Sequence, residues 1–414
     1  MTQTIWIHLL VSAALCQSFC HAETPVTGAD NPALKPFDDL LLSFIQKHNV
    51  PGAAVAVTRH GKLVYARGFG FADVEKKEAV QPASLFRIAS VSKPFTAVAI
   101  LQLVERGKLK LDDKIFALLG MKPTGDPRLN DVTIQQLLNH TGGWDRGKSF
   151  DPMFRSVDFA KALNAPPPAS AAQVIENMLK VKLDFAPGER MAYSNFGFCL
   201  LGRAIEKLSN QSYGDYVREK VLAPHGVKGM VLGKTLLAGR VAGEVLYYPS
   251  NARMGNSVFA ANLGEKVPAA YGAWNIEAMD SHGGWLASAT DLVRFASSFD
   301  EPEKCKVLNA KSIEKMFERP AGLAGNEVDG KPKPAFYACG WMVRPTGNGK
   351  ANTWHNGRLD GTSTLLVRRS DGLCWAVLFN SDAGRGELSG MIDPLMHQAA
   401  DAVKDWPEID LFEK

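Results

Sequence analysis

Leu85-Phe86-Arg87-Ile88-Ala89-Ser90-Val91-Ser92-Lys93-Pro94-Phe95 decides how this chain is read, together with the apolar run that continues to Val104. Phe95 to Val104 has the apolar periodicity of a buried helix, and Ser90 falls where an upstream strand or turn runs into it. Pro94 pushes the residue before it out of the α region, so a distorted first turn is predicted while the helix survives. Ser90 and Lys93 are three residues apart, which puts them on one helix face, one turn apart and close enough to touch.

That pairing suggests a chemistry. A serine hydroxyl is a weak nucleophile near neutral pH and needs a base within hydrogen-bond reach. A lysine can serve once its ammonium is partly discharged, and burial or neighbouring cations do this by disfavouring the charged form. A serine at a helix start also places its own backbone N–H at the positive end of the dipole, where an oxyanion would form. The motif alone is weak, since Ser312-Ile313-Glu314-Lys315 matches it too. That second match, flanked by Asn309-Ala310-Lys311 and Met316-Phe317-Glu318, reads as an ordinary amphipathic helix with a solvated face.

Two further triplets lie downstream. Tyr193-Ser194-Asn195 is the one Tyr-x-Asn in the chain. It follows the turn signal Phe185-Ala186-Pro187-Gly188-Glu189 and precedes an apolar helix predicted from Phe196 to Leu208. Tyr193 could relay a proton to a leaving group; the bland alternative is a hydroxyl capping a buried turn. His355-Asn356-Gly357 shares its pattern with His140-Thr141-Gly142 and His282-Gly283-Gly284. Its setting distinguishes it: a strand-like run Ala338 to Val343 precedes it, and strands Ser363 to Arg369 and Leu373 to Asn380, joined by Ser370-Asp371-Gly372, follow it. It is therefore expected to head an edge of antiparallel sheet.

With these residues in view, the chain resembles the serine β-lactamase and penicillin-binding-protein-like hydrolases, in the class C β-lactamase-like branch. That branch includes D-alanyl-D-alanine carboxypeptidases, D-amino-acid peptidases and β-lactamase-fold esterases. The resemblance runs from about Phe37 to about Asp401. Further stretches carry it: Val132 to Gly143, Phe185 to Gly188, Gly284 to Leu292 and Tyr337 to Trp341. It implies that Ser90 is the acylated nucleophile, Lys93 its proton acceptor and Tyr193 a second general base and acid. Asn195 would bind the substrate's amide or ester side chain. His355, Asn356 and Gly357 would take the place of the family's Lys-Thr-Gly strand, and the N–H of Arg358 would complete the oxyanion hole.

The third motif is where the sequence departs from the family pattern. A lysine there stays charged and favours substrates bearing a carboxylate, whereas a histidine has a reference pKa of about 6.5 and can be neutral. Arg358 could restore a cation or point to solvent. No deacylating Glu of the class A kind is evident. A true β-lactamase is accordingly disfavoured.

The expected fold is α+β, an α/β sandwich of the β-lactamase/transpeptidase-like kind. An antiparallel sheet built from N- and C-terminal strands is flanked by helices, with a large, mostly helical inserted region. Residues 1–22 are read as a signal peptide and 23–414 as one hydrolase domain. Its sheet part covers about 37–90 and 335–405, and its helical part about 91–334. The N-terminal strands are predicted at Gly52 to Arg59 and Lys62 to Gly68, around His60-Gly61, and a helix after Ala383 packs on the sheet.

Composition narrows the class. At 414 residues and 46% hydrophobic content the chain can bury a large core. A formal charge of +4, not gathered into basic runs, argues against nucleic acid as a partner. The first 22 residues carry no Lys, Arg, Asp or Glu and run through apolar residues to Cys20-His21-Ala22, which predicts an exported protein, periplasmic or secreted. No later run reaches transmembrane length. Cys199, Cys305, Cys339 and Cys374 remain after cleavage and allow three pairings or none; Cys199 and Cys374, inside apolar segments, read as buried thiols.

The functional expectation is an exported serine hydrolase cleaving an ester or a D-amino-acid peptide through acyl-Ser90, with no cofactor and a small-molecule substrate. The competing class is a non-catalytic relative binding cell-wall peptides or a protein partner. A metal-dependent hydrolase using His140, His282 and His355 lacks ligand spacing. Oligomeric state is left open.

Overall fold

A computed structural model describes residues 24–382 and 387–413. The apolar segment 1–22, read above as a signal peptide, lies outside the described residues. Among those residues the principal sheet has nine strands, antiparallel throughout. Its order is Val26–Thr27, Lys62–Asp73, Gly52–Arg59, Leu373–Phe379, Thr362–Arg368, Lys350–Leu359, Trp341–Gly347 and Phe336–Ala338, with Glu78–Ala79 on the far end of Lys62–Asp73. N- and C-terminal strands thus share one sheet, joined where Gly52–Arg59 pairs with Leu373–Phe379.

Strand side chains alternate between two cores, as a period of two requires. Ala53, Val55 and Val57 join Leu373, Trp375, Val377 and Phe379 on one face. There they meet Phe37, Leu41 and Phe44 of the helix Lys35–Lys47 and Ile392 and Met396 of the helix Leu388–Ala402. Ala54, Ala56, Ala376 and Leu378 face the other way, onto the helix Ala289–Ser297 and the larger core. Both faces are covered, which is why the central strands read as nearly unbroken apolar runs.

Two turns differ from or refine the expectation. His60 (φ 49°) and Gly61 (φ 77°) form the two-residue turn expected between the first long strands, and the second of these runs on to Asp73 rather than stopping near Gly68. The run Ala338 to Val343, expected as one strand, is instead a hairpin: Cys339 (φ 41°) and Gly340 (φ 86°) reverse the chain between Phe336–Ala338 and Trp341–Gly347. The competing Ser312 match lies in the short helix Ala310–Met316, which buries Ile313 and Met316. Cys199, Cys339 and Cys374 are buried, Cys305 is partly so, and all four are free thiols.

The hairpin matters for the site. Trp341–Gly347 pairs with Lys350–Leu359 only as far as Trp354. From His355 onward that strand is paired on one side, by Thr362–Arg368, and no strand among the described residues covers the other. His355-Asn356-Gly357 therefore lies inside a strand, at the start of its open stretch. A Cβ added at Gly357 would lie 2.3 Å from the Ile88 carbonyl oxygen and 2.4 Å from Thr364 Oγ1. A glycine is needed for this close approach of the strand to the turn that carries Ser90. Gly357→Ala is expected to cost about 1–3 kcal/mol of stability, as overpacking does, read as a lower denaturation midpoint; an unchanged midpoint would show that the contact can relax.

Candidate active site

Ser90 is presented by a 3-10 turn, Ala89–Ser92, that runs directly into the α-helix Lys93–Glu105. Pro94 sits in the first turn of that helix, where a missing N–H is tolerated. Lys93, the residue before the proline, stays in the α region (φ -65°, ψ -39°), so the expected departure does not occur there, and the helix is entered through the 3-10 turn instead. Upstream, Phe86–Arg87 pairs with Trp285–Ala287, and Ala89 adopts φ 47°, a left-handed conformation costly for a residue with a Cβ. The strained residue directly precedes Ser90 and turns the chain from strand to helix.

Lys93 is wholly buried. Its Nζ lies 3.0 Å from Ser90 Oγ, 2.9 Å from Asn195 Oδ1 and 3.0 Å from the His282 carbonyl oxygen. The amide oxygen and the carbonyl can only accept, whereas the serine hydroxyl can donate. A neutral amine satisfies all three: it donates to Asn195 and His282 and takes the Ser90 proton on its lone pair. Burial pushes the Lys93 pKa well below the lysine value of 10.5, with Asp151 opposing the fall and Arg146 adding to it. The three contacts alone would also suit an ammonium, and it is burial that favours the neutral amine, poised to accept a proton.

Tyr193 lies close enough to the serine for the Ser90 hydroxyl to act on its phenol. Its ring centre lies 4.7 Å from Lys93 Nζ and 4.8 Å from Arg146 Cζ. Burial raises the phenol pKa above its usual value, so Tyr193 rests as a neutral hydroxyl. Ser194 caps the helix Asn195–Ser209 through Gly197 N, which fixes where Tyr193 and Asn195 leave the loop. Asn195 has both ends engaged: its oxygen serves Lys93, and its Nδ2 donates to Asp151 Oδ2 at 2.7 Å. The position the structure gives it is beside the lysine.

His355 is buried. Its Nδ1 lies 2.6 Å from the Asn356 carbonyl oxygen, and its Nε2 lies 3.1 Å from the Tyr337 hydroxyl. The carbonyl cannot donate, so Nδ1 carries the proton and Nε2 accepts from Tyr337. Desolvation, with the Lys93 charge second, lowers its pKa to about 3. Asn356 donates to Glu387, and the side chain of Arg358 is exposed. Among the described residues, no group of three or more His, Cys, Asp and Glu is disposed to hold a metal ion.

A neutral His355 makes a direct prediction. Its imidazole NMR signals should show no titration between pH 5 and 8. A midpoint near 6.5 would contradict the buried, tautomer-locked ring. The folded value lies below the unfolded 6.5, so its contribution to stability is full above pH 6.5 and is lost as pH falls toward about 3.

The sequence profile of the Beta-lactamase family matches residues 37–393. The chain belongs to the Beta-lactamase family. Relatives include Protein flp of Staphylococcus aureus (strain MW2), 25% identical over 344 residues, spanning 81% of this chain and 61% of that protein. Penicillin-binding protein 4* of Bacillus subtilis (strain 168) is 27% identical over 329 residues, spanning 79% and 67%. The chain thus spans about three-fifths to two-thirds of the length of these curated relatives. Solved structures share the fold. A D-amino acid amidase from Ochrobactrum anthropi SV3 superposes with TM-score 0.70 at 21% identity, covering 90% of this chain and 99% of that one. An octameric penicillin-binding protein homologue from Pyrococcus abyssi gives 0.67 at 24%, covering 88% and 77%.

Within this family site, sequence reasoning missed several groups. His140 and His282 drew notice as rival His-x-Gly matches, His140 within the family-like stretch Val132 to Gly143, but neither was given a role in the site, and both line its interior. The His140 ring lies 4.3 Å from those of Tyr193 and Tyr337, and its Nδ1 accepts from Ser194 N. His282 contributes its backbone oxygen to Lys93. Asp151 and Arg146 carried no motif, and Tyr337, though it opens a family-like stretch, was given no role; their roles arise from tertiary contacts that no local spacing encodes.

Proposed function

We propose that this protein is a serine acyl hydrolase cleaving esters or amides, including those of D-amino acids, through an acyl-Ser90 intermediate. The observation that carries the reading is the buried Lys93 held against Ser90 by Asn195 and His282, with the Tyr193 ring 4.7 Å from the same Nζ. Lys93 Nζ takes the Ser90 proton as Oγ bonds to the substrate carbonyl carbon. The negative charge gathers on the former carbonyl oxygen, between the backbone N–H groups of Ser90 and Arg358. Collapse breaks the ester or amide bond, and the leaving atom receives a proton through Tyr193. Water then attacks the acyl-enzyme, its proton taken by the same pair, and releases the acid and free Ser90.

The neutral His355 supports substrates that need no carboxylate at this strand, which weighs against penicillins as the natural substrate. The name of the Ochrobactrum amidase points the same way, toward amides of D-amino acids. The apolar segment 1–22 supports action outside the cytoplasm. Turnover of a p-nitrophenyl ester, D-phenylalanine amide, a D-alanyl-D-alanine peptide and a penicillin, measured side by side, tests this. Hydrolysis of the ester or amide with penicillin inert is the expected result. Efficient penicillin turnover would make it a β-lactamase, and inertness toward all four would favour a non-catalytic relative.

A further inference from the structure

The mechanism above uses Asn195 as a holder of Lys93 but leaves unexplained what holds Asn195. An amide presents an oxygen on one side and an NH2 on the other, and a half-turn exchanges them. With the NH2 toward Lys93, the amine would meet a donor and lose one of its two acceptors.

Asp151 removes that ambiguity. Its Oδ2 lies 2.7 Å from Asn195 Nδ2, and its Oδ1 accepts from Met153 N at 3.1 Å, as the cap of the short turn Pro152–Phe154. Both carboxylate oxygens face donors, a demand neither an amide nor a hydroxyl can meet. Arg146 Nη1 lies 3.9 Å from the same Oδ2, so the carboxylate has a cation on its outer side. The chain of contacts is continuous: Asp151 to Asn195 to Lys93 to Ser90.

We infer that Asp151 is a positioning residue for the proton-transfer pair, fixing the Asn195 amide with its oxygen on Lys93 and so aiming the lysine lone pair at Ser90. Other groups surround the lysine. Tyr193 and Phe198 present their rings to it, at 4.7 and 5.7 Å from Nζ. The neutral imidazoles of His140, His282 and His355 lie near enough that a proton on the lysine would act on them. Arg146 is the nearby cation and Asp151 the nearby anion acting on it. Loss of the Asp151 charge therefore lowers the Lys93 pKa further, and a flipped Asn195 acts in the same direction.

This rests on the proposed hydrolase mechanism, so its test needs an arm that uses no substrate. Asp151→Ser is the informative variant, because serine still caps a helical turn but cannot hold Asn195 as a carboxylate does; Asp151→Asn is its companion. The 13Cε signal of Lys93, followed against pH in selectively labelled protein, should titrate about one pH unit lower in both variants than in wild type. With an ester substrate, kcat should fall about 10–100-fold and KM change less than about threefold, since proton transfer and not binding is affected. If capping were the whole role, Asp151→Ser would retain both the wild-type Lys93 midpoint and the wild-type kcat, and the inference would be overturned. A wild type inert to ester would overturn the hydrolase reading, while the lysine titration would still decide the role of Asp151.

Discussion

Ser90→Ala is expected to lower ester turnover by about a thousandfold or more, because the proposed nucleophile is lost and, among the described residues, no other hydroxyl is hydrogen-bonded to Lys93. The substitution removes one partly exposed oxygen from a turn whose backbone contacts lie elsewhere. Thermal stability should therefore stay close to wild type, which separates loss of chemistry from loss of fold. KM should change little if the acyl group is held by the open strand edge and the walls around it. Residual turnover at wild-type level would mean that the reacting group is not Ser90. Initial-rate kinetics on matched preparations, with unfolding curves beside them, measure both parts.

Lys93→Met carries the second large effect. It keeps the stem volume and deletes the amine, so kcat should fall by about 10²–10⁴-fold, the usual worth of a positioned proton-transfer group. Stability should respond in a pH-dependent way. The folded-state value lies well below 10.5, so between the two values the unfolded chain holds a proton that the folded chain does not. Wild-type stability then rises with pH in that window and falls with acid, by up to about 1.4 kcal/mol per pH unit. Methionine has no such dependence. The difference in unfolding free energy, wild type minus variant, should therefore grow as pH rises through the window toward 10.5. A difference that is flat, or that shrinks with rising pH, would mean that Lys93 is charged in the folded protein.

The architecture was legible because sheet and helix periods are local. Gly52–Arg59 and Leu373–Phe379 announced themselves by apolar, β-branched and aromatic runs between turn residues, and Ser90 by the apolar helix that follows it. The reversal at Cys339-Gly340 was not legible: its apolar flanks read as one strand, and the left-handed turn is fixed by packing of Gly340 against the Lys93 backbone. The same contrast holds at the site. Ser90, Lys93 and Tyr193 sit in short motifs because helix geometry ties two of them together and a capped loop the third. The acceptors that hold Lys93 in place come from residues 102 and 189 positions away, one of them a backbone carbonyl, and a carbonyl has no sequence signature.

His355 shows how far a motif can mislead about a role. Its place in the third motif suggested a substrate-binding side chain, yet both ring nitrogens are taken by Asn356 and Tyr337 within the protein. Its bulk and neutrality shape the strand edge, and the backbone beyond it is what remains open to a substrate.

The central claim is an acyl group on Ser90, and the most direct measurement is mass spectrometry of the protein quenched in acid within its first turnovers of a p-nitrophenyl ester. The account predicts a mass increase equal to the acyl group, located by digestion on the peptide containing Ser90 and absent from Ser90→Ala. Turnover with no such increase, or an adduct that maps elsewhere or persists in Ser90→Ala, would contradict it.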